Sequence, residues 1–202
     1  MNYLLCMIFG YLSGSILYAY WLPKLLCGKD ILANTTDGNP GTANAYKNGG
    51  FFIGTLVLTC ELLKGFLPVF FAFRITTAES LLFVPVLAAP VLGHAYPFFQ
   101  TKKGGKAIAV SFGVLLGLLP VWEPVVLLAV IYLSFSLVLI IDPHLFRSIA
   151  TFLTFAVINC FLCPVLSIRF GCAAISTIVI QKHLCKYQHE PFSMRLFRRR
   201  LL

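Results

Sequence analysis

Long apolar runs alternate with short polar segments along the 202-residue chain. A helix that crosses the hydrocarbon core needs about 20 predominantly apolar residues. On that measure the runs predict spans at residues 3–26, 51–73, 80–96, 122–141, 145–163 and 165–183, with a shorter apolar stretch at 107–119. Pro85 and Pro90 predict kinks in the third span, of the kind neighbouring helices accommodate. The runs are continuous, whereas the strands of a membrane barrel alternate between apolar and polar positions.

Composition supports the same reading. The chain is 59% hydrophobic and 11% charged, with a mean hydropathy of +0.88, against about 25% charged residues in soluble domains. So few charges cannot cover a water-facing surface. The expected fold is therefore all-α: a polytopic membrane protein of about seven transmembrane helices, forming a single domain over residues 1–202. The net charge of +9 lies between and after the apolar runs, which fits orientation by positive loops and contact with anionic lipid, not nucleic-acid binding. Arg195, Arg198, Arg199 and Arg200 place the C-terminal tail in the cytoplasm. Counting back puts the turn at 142–147 and the loops at 100–106 and 28–50 on the same side, and the N-terminus outside. No basic residue precedes the first run, and Lys24 follows it, so a retained helix is expected rather than a cleaved signal.

The seven cysteines are odd in number and scattered through apolar runs, a pattern that predicts no disulfide framework. Cys160 and Cys163 have redox-motif spacing but no βαβ context. No His, Cys or acidic set has zinc spacing, so neither a metal nor a cofactor is expected.

Two polar loops carry the candidate chemistry. In the first, Gly38 and Gly41 permit close backbone approach to an anion, and a helix starting at Thr42 would aim its N-terminus at that anion. Asn39, Thr42 and Asn44 add uncharged hydrogen-bonding groups, and Lys47 adds positive charge. No Gly-Lys-Ser/Thr ending makes it a Walker A loop, and the same composition also serves a plain turn between membrane helices. In the second, Gly104 and Gly105 sit between Lys102, Lys103 and Lys106, where ammonium groups and backbone donors can converge on one anion. A positive cluster that only orients helices is the competing reading. His94 lies at a helix end, where it is either a hydrogen-bonded core group or a participant in proton transfer. Glu61 and Lys64 lie inside an apolar run at i,i+3 spacing. Charges at such positions face each other or a polar cavity, so an ion pair lining the site is expected. Lys182 and His183 close the last span.

In order along the chain, Gly14-Ser15, the Gly38-Asn39-Pro40-Gly41-Thr42-Ala43-Asn44 loop, Glu61…Lys64-Gly65, Gly93-His94…Pro97 and Lys103-Gly104-Gly105-Lys106 resemble the bacterial acyl-phosphate-dependent glycerol-3-phosphate acyltransferases. The likeness covers nearly the whole chain, and it is the ordered set that is specific. It implies a seven-helix enzyme of the bacterial inner membrane with its motifs on the cytoplasmic side. The implied reaction moves an acyl group from acyl phosphate to the 1-hydroxyl of glycerol 3-phosphate. Under the resemblance Asp37, Lys47, Lys106 and His183 are the catalytic candidates. Gly38, Asn39, Gly41, Thr42, Asn44, His94, Lys103, Gly104 and Gly105 would bind phosphate, and Ser15, Glu61 and Lys64 would support the site.

The chain departs from the family pattern in three places. Asp37 stands where serine is usual, Lys47 where arginine is usual, and Lys186 where asparagine usually follows the last-helix histidine. Asp37 can act as a general base toward a hydroxyl, or repel phosphate by roughly 4 kcal/mol at 4 Å and an effective dielectric near 20. Lys47 keeps the charge of arginine without its bidentate fork. Two further readings stay open: a transporter for a phosphorylated metabolite, and a catalytically silent paralogue.

Overall fold

A computed structural model describes residues 1–28, 30, 35, 38–99, 104–185 and 191–197. Among these residues the chain forms eight α-helices: α1 (Asn2–Ser15), α2 (Tyr18–Cys27), α3 (Thr42–Ile75), α4 (Phe83–Ala95), α5 (Ile108–Leu116), α6 (Glu123–Leu133), α7 (His144–Leu162) and α8 (Leu166–Leu184). Helices α3 and α7 are long and apolar enough to cross a membrane. The pair α1–α2 forms a third such span, bent by 45°. The protein is a mainly helical, multi-pass membrane protein. Its outer surface carries Leu5, Phe71, Val130, Phe161 and Phe170, all exposed, as a lipid-facing surface requires.

With lipid as solvent, helices do not gain from hiding leucine from water, so close backbone approach decides how they pair. The crossing of α1 and α4 illustrates this. A β-carbon on Gly14 would lie 2.0 Å from the carbonyl oxygen of Pro90, and one on Gly93 would lie 2.2 Å from that of Tyr11. Helices α3 and α5 meet in the same way: a β-carbon on Gly113 would come within 2.1 Å of Leu62 O, and one on Gly65 within 2.4 Å of Val110 O. Helix α4 also packs on α8, and α7 packs on both α8 and α6. Val69, Phe83, Val114, Phe152 and Ile175 fill the space between them.

One expectation is corrected. The apolar run 122–141 is not one helix. After α6 the backbone widens into a π-helical turn, Ser134–Val138, and then extends as strand β1, Leu139–Asp142. Strand β2, Ser193–Leu196, pairs antiparallel with it, Leu139 opposite Leu196 and Asp142 opposite Ser193. The fold is therefore mainly helical rather than all-α. Residues 137–141 are apolar at every position, and such a run reads equally as buried helix or strand. The partner that decides between them lies more than fifty residues downstream.

Helix α3 consists of two arms that meet at a break at Gly50 (φ 82°, ψ 179°). Tyr46, before the break, packs its ring where a β-carbon on Gly54 would lie, 2.3 Å away. The Tyr46 hydroxyl is 3.0 Å from Thr55 Oγ1. Residues 42–49 thus fold back along 51–58, with Ala45, Ile53 and Val57 buried between the arms together with Ala19 of α2. An L-residue at φ 82° would be strained, and glycine makes the reversal inexpensive. All seven cysteines are free, and the described residues hold no cluster of metal-ligating side chains.

Candidate active site

The fold-back brings the start of α3 beside its own middle, and a cavity of about 520 Å³ lies there. Asn39, Gly41, Thr42, Ala43 and Asn44 line it from the first polar loop. Leu58 and Glu61 line it from the long arm of α3, and His94 from α4. Lys106, Ala107, Ile108 and Ala109 contribute the start of α5, and Pro143, His144 and Leu145 the start of α7. Three helix N-termini therefore open onto one cavity. Each presents unpaired backbone N–H groups and about half a positive elementary charge. Together with the Lys106 ammonium they form a site for anions.

Each N-terminus is held in place by local contacts. At α3, Gly41 is the cap residue, with its N–H donating to Asn39 O at 2.9 Å, and Asn44 Nδ2 donates to the same carbonyl at 2.9 Å. At α5, Gly105 N–H donates to His94 O at 3.0 Å. A β-carbon on Gly105 would lie 2.0 Å from His94 Nε2, and one on Gly104 would lie 1.8 Å from Ala95 O. The two glycines thus press this loop against the end of α4 and set Lys106 at the cavity. Ala107 follows in a left-handed conformation, φ 62°, a strain that the Ser111 N–H and hydroxyl offset by both donating to its carbonyl. At α7, Arg147 Nη2 donates to Asp142 Oδ1 at 2.6 Å and Arg195 of β2 donates to Oδ2 at 3.0 Å. The hydrogen bond from Arg195 is the main reason the Asp142 carboxyl titrates below its ordinary value, with Arg147 adding to it.

Behind the cavity wall sits a charged group of three side chains. Lys64 Nζ lies 2.7 Å from Glu61 Oε2, 2.6 Å from Ile16 O and 2.8 Å from His94 Nδ1. His94 Nδ1 also lies 3.1 Å from Glu61 Oε2, so this ring nitrogen sits against both the ammonium and the carboxylate. The Glu61 and Lys64 side chains are each 1% exposed, so the pair is neutral as a unit and leaves the cavity's positive character to Lys106 and the helix ends. Ser15 connects the first helix to the second loop, donating to Tyr11 O at 2.7 Å and accepting from Phe98 N–H at 3.1 Å.

Of the residues singled out by sequence, Asn39, Gly41, Thr42, Asn44, Glu61, His94 and Lys106 converge on the cavity. Gly38 (φ 56°), Gly104, Gly105, Lys64 and Ser15 shape its surroundings without lining it. Lys47 is exposed on the short arm of α3 and is not part of the lining. His183 is fully buried in α8, donating from Nδ1 to Val179 O at 2.8 Å, with its ring centre 6.0 Å from that of His144. Asp37 and Lys103 lie outside the described residues. Sequence reasoning did not find His144 or Tyr132, whose hydroxyl is 3.0 Å from His144 Nε2 and which also lines the cavity. The available signal was the Asp142-Pro143-His144 break before an apolar helix, read only as a turn.

Known proteins share this fold. The family model described as glycerol-3-phosphate acyltransferase matches residues 4–196. A glycerol-3-phosphate acyltransferase of Thermotoga petrophila is 38% identical over 115 residues, covering 57% of this chain and 58% of the relative. One from Maridesulfovibrio salexigens is 37% identical over 140 residues, covering 66% of this chain and 69% of the relative. The first match thus spans little more than half the length of that curated relative. The crystal structure of PlsY, an integral membrane glycerol 3-phosphate acyltransferase, in its glycerol 3-phosphate form has a TM-score of 0.77 and 27% identity over 91% of this chain and 89% of that one. The lysophosphatidic acid form gives 0.74 and 26% over 91% and 88%. With a family match running from residue 4 to residue 196, and the site motifs gathered at one cavity, the chain belongs to the glycerol-3-phosphate acyltransferase family.

Proposed function

We propose that the protein transfers an acyl group from an acyl phosphate to the 1-hydroxyl of sn-glycerol 3-phosphate, giving lysophosphatidic acid and inorganic phosphate. The observation that carries this reading is the convergence of three helix N-termini and Lys106 on one cavity. Both substrates bear phosphate, and the reaction releases phosphate.

The hydroxyl oxygen attacks the acyl carbon as its proton passes to a base and on to the departing phosphate, the bond from that carbon to the phosphate oxygen breaks, and phosphate leaves with the electron pair. Phosphate is a good leaving group, so positioning and stabilisation of negative charge supply most of the rate. In this scheme Lys106 and the N–H groups at the starts of α3 and α5 hold phosphate oxygens. Gly38, Gly104 and Gly105 shape the loops, while Ser15 and Lys64 brace the wall. Asp37, which stands where the family has serine, is the candidate general base by its own chemistry, Lys47 and Lys103 add positive charge, and His183 is carried over from the family pattern.

The chain is proposed to cross the bacterial inner membrane about seven times, with the N-terminus outside and both the cavity and the C-terminus cytoplasmic. Basic segments on the cavity side support that orientation.

The deciding experiment is phosphate release by purified, folded protein. Release from an acyl phosphate is expected only when glycerol 3-phosphate is present. A preparation that elutes as a folded species and releases nothing above background overturns the reading.

A further inference from the structure

Two side chains in the cavity wall have no part in the scheme above. Tyr132 comes from α6 and His144 is the first residue of α7, and both line the cavity. His144 is exposed and Tyr132 half-buried, so both are open to a molecule bound there. The Tyr132 hydroxyl lies 3.0 Å from His144 Nε2. On the other side of the ring Ser148 Oγ lies 3.4 Å from Nδ1, and its own proton goes to the His144 carbonyl at 2.9 Å. The ring of His183 lies nearly parallel beside it, at 25° and 6.0 Å between centres. Each imidazole nitrogen therefore has a hydroxyl oxygen that can accept from it, which suits the protonated ring with its two N–H donors. Dianionic substrates in the same cavity favour that charged form further.

We infer that Tyr132 and His144 together deliver the proton that the departing phosphate needs. The inference rests on the function proposed above and adds a proton donor to it. An acyl phosphate dianion that gives up its acyl group without a proton would leave as the trianion, a far poorer leaving group than the dianion. In the step inferred, the bond from the acyl carbon to the phosphate oxygen breaks and its electron pair stays on that oxygen. The oxygen takes the Tyr132 hydroxyl proton, and the Tyr132 oxygen takes the proton of His144 Nε2. Phosphate departs as the dianion and His144 is left neutral. The proton that the attacking hydroxyl gave to its base returns to His144 through solvent, so no other reactant is consumed. Ser148 and His183 hold the ring in place for the transfer.

The test compares two donors, an acyl phosphate and its methyl ester, with glycerol 3-phosphate as acceptor and lysophosphatidic acid as the product measured. The ester releases methyl phosphate, whose second pKa is about 6, so it leaves as a dianion without taking up a proton. Tyr132→Phe, which removes one hydroxyl and keeps the ring, and His144→Gln are each expected to lower kcat on the acyl phosphate about 100-fold. On the methyl ester each should stay within about 3-fold of wild type, because no proton has to be delivered. The two residues act in series, so the double variant should lose no more than either single one.

Either variant within about 3-fold of wild type on the acyl phosphate overturns the inference. So does an equal loss on both donors, since the pair would then only shape the wall. If wild-type protein does not use the methyl ester, the double variant decides: losses that multiply overturn the relay, and a double variant no worse than the single ones supports it. If His144→Gln does not fold, Tyr132→Phe decides by the comparison of donors. Turnover of neither donor by folded wild-type protein would instead sink the proposed function.

Discussion

Gly105 is seated against the imidazole of His94. A β-carbon on Gly105 would be 2.0 Å from Nε2, and its N–H donates to the His94 carbonyl at 3.0 Å. This contact joins the end of α4 to the start of α5 and so fixes where Lys106 stands. Gly105→Ala must push the ring or the loop aside. It is expected to lower acyl transfer at least 10-fold while the protein still elutes as a folded species, measured by phosphate release. Gly104→Ala meets the Ala95 backbone carbonyl at 1.8 Å, which cannot rotate away. Its main effect should be on stability, by about 2 kcal/mol, read from the thermal unfolding midpoint in detergent.

Lys106 is the ammonium group in the cavity wall. Lys106→Ala should reduce kcat by about 100- to 1000-fold, the usual cost of removing one donor to developing charge, with little change in unfolding temperature. A variant within 3-fold of wild type would mean that the helix N-termini suffice without it.

Lys64 neutralises Glu61 where neither reaches water. Removing one partner of a buried pair leaves an uncompensated charge and costs about 3–5 kcal/mol. Lys64→Met should therefore unfold at a clearly lower temperature, and adding Glu61→Gln should restore much of the loss. Thermal unfolding of the two single variants and the double variant gives the coupling directly, and additive effects would contradict the pairing.

Ala107 adopts a left-handed conformation at φ 62°, which costs an L-residue about 1 kcal/mol. Ala107→Gly should raise thermal stability by up to that amount, and Ala107→Val should lower it. Detergent unfolding curves of both variants are the check, and a destabilised Ala107→Gly would refute the assignment of strain.

The Asp142 carboxyl titrates below its ordinary value of 3.8, first because Arg195 bonds to it. A carboxyl whose pKa is lower in the folded chain than in the unfolded one contributes stability above the unfolded value. That contribution disappears as pH falls through the folded value. Protection against amide exchange across residues 193–196, relative to the unfolded chain at the same pH, should therefore be high at neutral pH and fall below about pH 4. In Asp142→Asn it should be low throughout, without that acid transition.

The membrane orientation can be checked with the protein's own thiols. Cys27, Cys160 and Cys185 are all exposed, the first and last at helix ends on the proposed cytoplasmic side. In single-cysteine variants an impermeant maleimide should reach Cys160 in intact cells, and Cys27 and Cys185 only after permeabilisation. The reverse pattern would invert the topology.

Hydropathy and loop composition are local properties, and what they encode was readable directly. The lipid-facing character, the approximate ends of α3, α7 and α8, and the pairing of Glu61 with Lys64 all follow from runs and spacings within one helix. The ordered motifs also pointed to the family, which the match over residues 4–196 bears out. Span 122–141 misled because an apolar run has the same hydropathy as helix or strand, and β2 lies far from it in sequence.

The site needed more than its loops. Thr42 and Glu61 would stand about 28 Å apart on a straight helix, and they share a cavity only because the chain reverses at Gly50. His94 belongs to the site because Gly93 and Gly14 let α4 approach α1 closely. His144 belongs because α7 packs on α6, where the Tyr132 hydroxyl lies 3.0 Å from its Nε2. The sequence by itself determined the solvent, the helices and the chemistry of each loop, since these depend on residues adjacent along the chain. The tertiary structure alone decided that three helix ends point at one volume and that Glu61 and His94 stand together in its wall, since those depend on backbone contacts between segments that no spacing records.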